Sequence, residues 1–320
     1  MFRTIQVKNG ALEVLEGLSG VMPPADGEMC WIDLQPPAEA DLELLRQRFG
    51  LHPLAIEDCL RSSPRAKVDE YGNQMFLIIH AMRAAEGGRQ GGIQISELDA
   101  FLGSRYLITI HREPIVGLEM VWKRAAGDAT CGARGMDFIY YLIVDEFVDE
   151  VFPLLDLVSD QLEEVEGAIL KRVDSHQLSK LMRLKRWLIS MRRVLSPERD
   201  MLAILPRRGD VRISEKTSLY FRDVYDHVVR AYEQIDVERD LLGNAMDAYL
   251  SMMANRSTII MKQLTLLASI FLPLSFLTGF FGQNFSALPF DSKSLFYFEI
   301  GSCIALPVVM FIWFRRSGWL

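Results

Sequence analysis

Two groups of residues in this chain have the types and spacings to handle a metal ion. The first is Gly282-Gln283-Asn284, which opens a short link between two apolar runs. An amide side chain offers a carbonyl oxygen to a cation or to its water shell, without a charge that would trap it. A ring of such oxygens suits magnesium, which sheds water reluctantly and is readily held through its hydration shell. The same Gly-x-Asn pattern also fits a plain turn. The second group is Asp223 and His227 in YFRDVYDHVV. Four residues apart, they share one face of a helix, while Phe221, Val224, Tyr225 and Val228 form the apolar one.

The elements around the first group are the two runs. Leu264–Phe281 has no charged residue, and Leu295–Phe314 has one, Glu299. A helix needs about 20 apolar residues to cross the hydrocarbon core of a bilayer. The pattern therefore predicts a membrane protein with a two-helix hairpin near the end of this sequence. Arg256 and Lys262 precede the first run, Arg315 and Arg316 follow the second, and the link holds only Asp291 and Lys293. Basic residues mark the cytoplasmic side, so both termini are expected inside and the link outside. Glu299 is expected at the interface, in the first turn of the second helix. The opening MFRTIQVKNG lacks the apolar core of a secretory signal.

Two helices cannot enclose a water path. Either the hairpin is an anchor, or several chains assemble so that one helix from each lines a channel. Met261, Leu264, Ala268, Leu272, Ser275 and Gly279 recur at spacings of three and four, so they share a face. Apolar rings can gate by dewetting and polar rings can pass a hydrated ion. Small residues on such a face equally suit helix–helix packing. Spacing alone leaves both readings open.

The chain carries a formal charge of −7. Residues 264–320 hold two acids and three bases, so the 263 residues before them carry −8. An acidic soluble part argues against nucleic-acid binding, which needs a positive surface. Cys30, Cys59, Cys131 and Cys303 lie far apart with no CxxC pair, which fits reduced thiols in a cytosolic setting. No phosphate-binding glycine loop, HExxH or Gly-x-Ser-x-Gly is present, and the five histidines are scattered. Neither an enzyme nor an organic cofactor is expected.

Residues 1–135 read as a mixed α/β domain. Gln74–His80, Leu98–Leu102 and Tyr106–His111 are strand-like, with Gly103-Ser104 as a hairpin turn. Ala38–Phe49 has helical spacing through Leu42, Leu45 and Phe49, and the glycine pairs Gly87-Gly88 and Gly91-Gly92 mark a turn. Residues 136–213 read as a helical hairpin region: Asp137–Val173 and Ser175–Leu195, with breaks at Ser196-Pro197 and Pro206–Gly209. Residues 214–281 read as one helix, about 100 Å long at 1.5 Å per residue, with Gly243 and Pro273 the residues that could bend it. A link, 282–294, a second membrane helix, 295–314, and a basic tail, 315–320, complete the expected order.

The ordered set HPLAIEDCL…PRAKVDEYGNQMFLIIHAM, YFRDVYDHVV, MDAYLSMMANRST and IFLPLSFLTGFFGQNF resembles the CorA family of divalent-cation channels. The resemblance implies an α+β membrane protein. It would have a cytoplasmic α/β domain, a long helical stalk, two transmembrane helices per subunit, and a homopentameric assembly in the cytoplasmic membrane, in contact with lipid. It implies that Gly282 and Asn284 form the outer selectivity ring. Met261, Leu264, Leu272 and Ser275 would line the pore, with Asp247 near its cytoplasmic mouth. It also implies metal sites between subunits, from Asp58 with Asp223 and, nearby, Glu57, His227 and Asp160. Carboxylates brought together repel unless a cation sits between them, so intracellular metal would hold a closed state and its loss would open the pore.

The chain departs from that family at Gln283, where the family motif is Gly-Met-Asn, and in FSALPF after it, which lacks the family's acidic residues and leaves only Asp291. Three readings follow. One is a channel for magnesium, with cobalt possible. Another is a transporter like the zinc-carrying ZntB relatives, coupled to protons, although their Gly-Val-Asn motif is absent. The third is a non-conducting, metal-sensing membrane scaffold.

Overall fold

The computed structural model describes residues 2–8, 11–17, 21–62, 65–85, 91–205, 212–283 and 292–319. Its contacts divide the chain into two units, Met1–Ala168 with Asp174–Met246, and Ile169–Val173 with Asp247–Leu320.

The first unit is built on a seven-stranded sheet. Its strands are β1 (Phe2–Lys8), β2 (Ala11–Glu16), β3 (Met29–Leu34), β4 (Lys67–Tyr71), β5 (Gln74–Ala84), β6 (Ile93–Gly103) and β7 (Tyr106–His111). Their order is β2-β1-β3-β7-β6-β5-β4. β3 pairs parallel with β7, and the other pairs are antiparallel. Period-two alternation gives the sheet its faces. Cys30, Ile32 and Leu34 of β3 join Phe76, Ile78, Phe101, Ile108 and Ile110 in one core layer. That layer is closed by Leu42, Leu45 and Phe49 of α1 (Glu39–Phe49) and by Ala55, Ile56 and Cys59 of α2 (Pro53–Leu60). Helix α1 stops at Gly50, whose φ of 66° is a left-handed cap that favours glycine.

On the opposite side Trp31 donates a hydrogen bond to Thr109 and packs at a tilt against Trp122 of α3 (Val116–Gly127), ring centroids 4.7 Å apart. Beside it lies buried Asp33. Arg3 binds Asp33 at 2.9 Å, His111 Nε2 lies 3.3 Å from its Oδ1, and the Thr109 hydroxyl donates at 2.6 Å. Burial alone would raise the Asp33 pKa. The His111, Thr109 and Arg3 partners outweigh it and hold it below the ordinary carboxylate value.

After α4 (Ala129–Ala133) come α5 (Met136–Asp149), α6 (Val151–Lys171), α7 (Ser175–Leu202) and α8 (Glu215–Phe281). The expected single helix over Asp137–Val173 is therefore two, separated at Glu150. Pro153, three residues into α6, has no N–H to offer the Asp149 carbonyl, and this removes the bond that would have carried α5 onward. The expected break at Ser196-Pro197 does not occur, and α7 runs through Pro197 to Leu202. Tertiary anchoring outweighs the proline there: Met201 and Leu202 are buried, and buried Glu198 accepts a 2.8 Å bond from the His80 backbone N–H. The second expected break, at 206–209, and Gly87-Gly88 lie outside the described residues.

Helix α8 starts as the sequence predicts. Ser214 Oγ accepts from the Thr217 N–H, and buried Asp137 accepts from the Ser214 N–H at 2.9 Å. It continues without interruption through Gly243 and Pro273.

The second unit contains the C-terminal part of α8 and α9 (Lys293–Arg316). Both helices are long and apolar enough to cross a membrane. Half-buried residues recur every three or four positions on each, as Leu266, Ile270, Leu274 and Leu277 on α8, and Leu295, Glu299, Ser302, Leu306 and Met310 on α9. Such stripes are what two helices packed along one seam produce. Lys262 Nζ reaches the Gly318 carbonyl at 3.5 Å. Outside the stripes large apolar side chains stand exposed, among them Phe276 and Tyr297, each at 70%. Lipid or neighbouring subunits are the environments that would cover them. Helix α9 begins two residues before the apolar run, so Glu299 is its seventh residue. It lies half-buried in the second turn, not in the first as expected.

Candidate metal centre and membrane helix face

Helices α5 and α8 run side by side in the same direction. Asp137 contacts Ser214, Tyr141 contacts Tyr220 at 5.0 Å between ring centroids, and Asp149 contacts His227. The aromatic seam of Phe138, Tyr140 and Tyr141 against Tyr220 and Phe221 fixes the rotation of both helices. Phe221, Val224 and Val228 are fully buried, as their spacing predicts, and Tyr225 is half-buried.

That rotation brings Asp145 and Asp149, one turn apart on α5, to His227 on α8. One ligand atom from each lies within 4.8 Å of the other two. Asp223, exposed, joins at the edge, with Oδ2 3.7 Å from His227 Nε2. His227 Nδ1 faces Asp149 Oδ1 at 3.7 Å, too far for a hydrogen bond, and is buried without a partner. The carboxyls crowd one another. Burial, then the charge of Asp149, raises the Asp145 pKa against a hydrogen bond from Tyr141. Glu146 is raised by burial, then by Asp149, and Glu150 by burial, then by Glu146. A cation among these groups would relieve the crowding and give the orphaned imidazole nitrogen a partner. The donor set of two carboxylates and one imidazole accommodates a divalent ion.

Of the residues expected as metal ligands, the structure brings His227 and Asp223 together. Asp160 is exposed on α6 and outside this group. Glu57 pairs with Arg61 at 3.0 Å, and Asp58 binds Lys67 at 2.8 Å. Burial disfavours the Lys67 charge, but bonds to Asp58 and Asp69 prevail and hold its pKa above the ordinary value. Sequence reasoning missed Asp145 and Asp149. Their signal was available: acids four apart in MDFIYYLIVDEFVDE, on a stretch otherwise apolar enough to be buried.

In the second unit, Met261, Leu264, Ala268, Leu272, Ser275 and Gly279 all lie exposed, off the half-buried stripe of α8. Leu272 is 74% exposed. Thr278 hydroxyl donates to the Leu274 and Ser275 carbonyls. Asp247 is exposed near the start of this unit. Gly282 and Gln283 form a turn closed by Gly282 N–H to the Thr278 carbonyl at 3.0 Å, and Asn284 lies outside the described residues.

Comparison with known families places these features together. The model of the CorA-like Mg2+ transporter protein family matches residues 26–316. The chain belongs to that family. It is 33% identical over 290 residues to the YfjQ protein of Bacillus subtilis (strain 168), spanning 90% of this chain and 89% of that one. To the cobalt/magnesium transport protein CorA of Thermotoga maritima it is 26% identical over 326 residues, 99% of this chain and 92% of the relative. The solved structure of the CorA magnesium transporter from Methanocaldococcus jannaschii superposes with a TM-score of 0.86 at 24% identity, over 100% of this chain and 99% of that one. That likeness establishes the CorA fold. An α/β unit, a long helix and two apolar helices are the coarse architecture expected from the sequence; the seven-stranded sheet is a finding of the structure.

Proposed function

We propose that this CorA-family protein conducts divalent cations across the cytoplasmic membrane, magnesium foremost and cobalt also, through a pore formed by α8 helices of a homopentamer. Both termini lie on the cytoplasmic side. The observation that carries the reading is the α8 face from Met261 to Gly279. It stands clear of the seam with α9, and it combines apolar positions with a hydroxyl and a glycine. Leu264, Ala268 and Leu272 form a hydrophobic constriction, and Ser275 and Gly279 admit a hydrated ion. Asn284, with Gly282 and Gln283, holds the ion outside through its water shell. Asp247 concentrates cations at the inner mouth.

Metal inside the cell closes this pore. Asp223 and His227 sit beside Asp145 and Asp149, and Asp58 and Glu57 present acids on α2 for a neighbouring subunit. A cation shared between these groups favours the closed arrangement because the open one separates them. Binding-state chemistry requires no redox step or covalent bond.

Cysteine substitution tests the pore face. In a Cys303→Ser background, thiol reagents block magnesium flux through Ser275→Cys and Leu272→Cys and leave Leu274→Cys unaffected. Equal block, or none, at all three positions contradicts the assigned face.

A further inference from the structure

A cavity of about 120 Å³ lies in the first unit, lined by Cys59, Ser62, Glu97, Asp99, Arg112 and Glu113 among others. It is separate from the Asp145 group and plays no part in the reading above. A single water needs roughly 10–30 Å³, so the space holds an ion with several of its waters. Asp99 is 4% exposed, and its Oδ1 is buried without a hydrogen bond, although the Cys59 thiol bonds the same carboxyl. A buried oxygen left so is costly unless something occupies the space in front of it. Three carboxyls face one guanidinium, and Arg112 already spends Nη2 on the Cys59 carbonyl at 3.1 Å.

We propose that this cavity is a second cation site, taking a hydrated divalent ion of the magnesium class with Asp99 and Glu97 as its anionic walls. The donors are hard oxygens. Among the described residues, only Asp145, Asp149 and His227 converge as closely as direct ligation of an ion requires. The ion in this cavity therefore keeps part of its water and reaches the carboxyls through it, as magnesium does. Ser62 Oγ, which donates to Glu97 Oε2 at 3.1 Å, holds that wall in place.

Burial, then the charge of Glu97, pushes Asp99 up to about 8, against the Cys59 bond and Arg112, with Asp58 adding to the rise. The other titratable neighbours are His111 at the cavity wall and His80, whose Nε2 lies 3.9 Å from Glu97 Oε2. A cation in front of Asp99 offsets this crowding of carboxyls.

The test is anomalous diffraction from crystals of the full chain soaked in Mn2+. The expected result is a manganese peak in the cavity, lost in Asp99→Asn with at least a tenfold weaker affinity. Should Asp99→Asn fail to fold, Glu97→Gln is expected to weaken the same peak. Peaks elsewhere with only ordered water in the cavity would overturn the proposal, as would a peak unchanged by either substitution. A peak at the Asp145 group bears on the closing mechanism alone, so the two readings fail separately.

Discussion

His227 on α8 faces Asp149 on α5, Nδ1 to Oδ1 at 3.7 Å, with the imidazole nitrogen buried and unbonded. The pair ties the long helix to the helix that lies on the sheet, at the place where Asp145, Glu146, Asp149 and Glu150 crowd together. A cation at this point would bridge α5 and α8.

Magnesium should therefore stabilise the protein through this group. At a concentration 100 times the dissociation constant, binding to the folded state adds about 2.7 kcal/mol. The melting temperature of the wild type rises with magnesium, and His227→Ala or Asp149→Asn loses at least half of that rise. An identical magnesium response in both variants would remove the group from the mechanism.

Stability should fall as pH rises through the neutral range. Burial pushes the Glu198 carboxyl up to about 8 against the hydrogen bond from the His80 N–H. The folded chain holds that proton over a window where the unfolded chain has lost it. The contribution is full below the ordinary carboxylate range and is lost as pH approaches 8. Glu198→Gln keeps the acceptor for His80 and removes the ionisation. It should raise the melting temperature at pH 8.5 and leave it nearly unchanged at pH 5, as scanning fluorimetry would record.

Arg3→Ala should destabilise the first unit by about 3 kcal/mol, because it strips a cation from buried Asp33 and a ring contact from Trp122, 4.1 Å from the guanidinium. Chemical denaturation of the detergent-solubilised protein measures the loss. A change below 1 kcal/mol would mean that His111 and Thr109 satisfy Asp33 without Arg3.

Phe221→Ala removes a fully buried ring from the α5–α8 seam and should cost about 3–5 kcal/mol. It should also weaken magnesium stabilisation, since the seam sets the rotation that brings His227 to Asp149. If the variant melts lower and keeps the full magnesium response, the seam does not position the site.

Much of this architecture is legible in local pattern. Leu42, Leu45 and Phe49 are spaced for α1, Gly103-Ser104 marks the β6–β7 hairpin, and nothing in 214–281 stops a helix. The misses have physical causes. The edge strands β2 and β4 are short and mix polar with apolar residues, so period two is faint there. Pro197 is a strong local stop signal that long-range anchoring overrides through Glu198, Met201 and Leu202. Pro153 breaks its helix because it cannot donate to the Asp149 carbonyl and the chain turns at Glu150. At the metal centre the i,i+4 pair Asp223 and His227 was readable from its own helix. Asp145 and Asp149 join it through a contact between segments some 80 residues apart, which no local period encodes.

Uptake into liposomes measures divalent-cation conduction itself. The purified oligomer is reconstituted with a metal-free interior facing its cytoplasmic side, and entry of magnesium, cobalt and zinc is followed. Magnesium is expected to enter ahead of zinc without a proton gradient, more slowly with magnesium preloaded inside, and not at all in Asn284→Ala. No uptake of any of the three ions from a verified oligomer would contradict conduction.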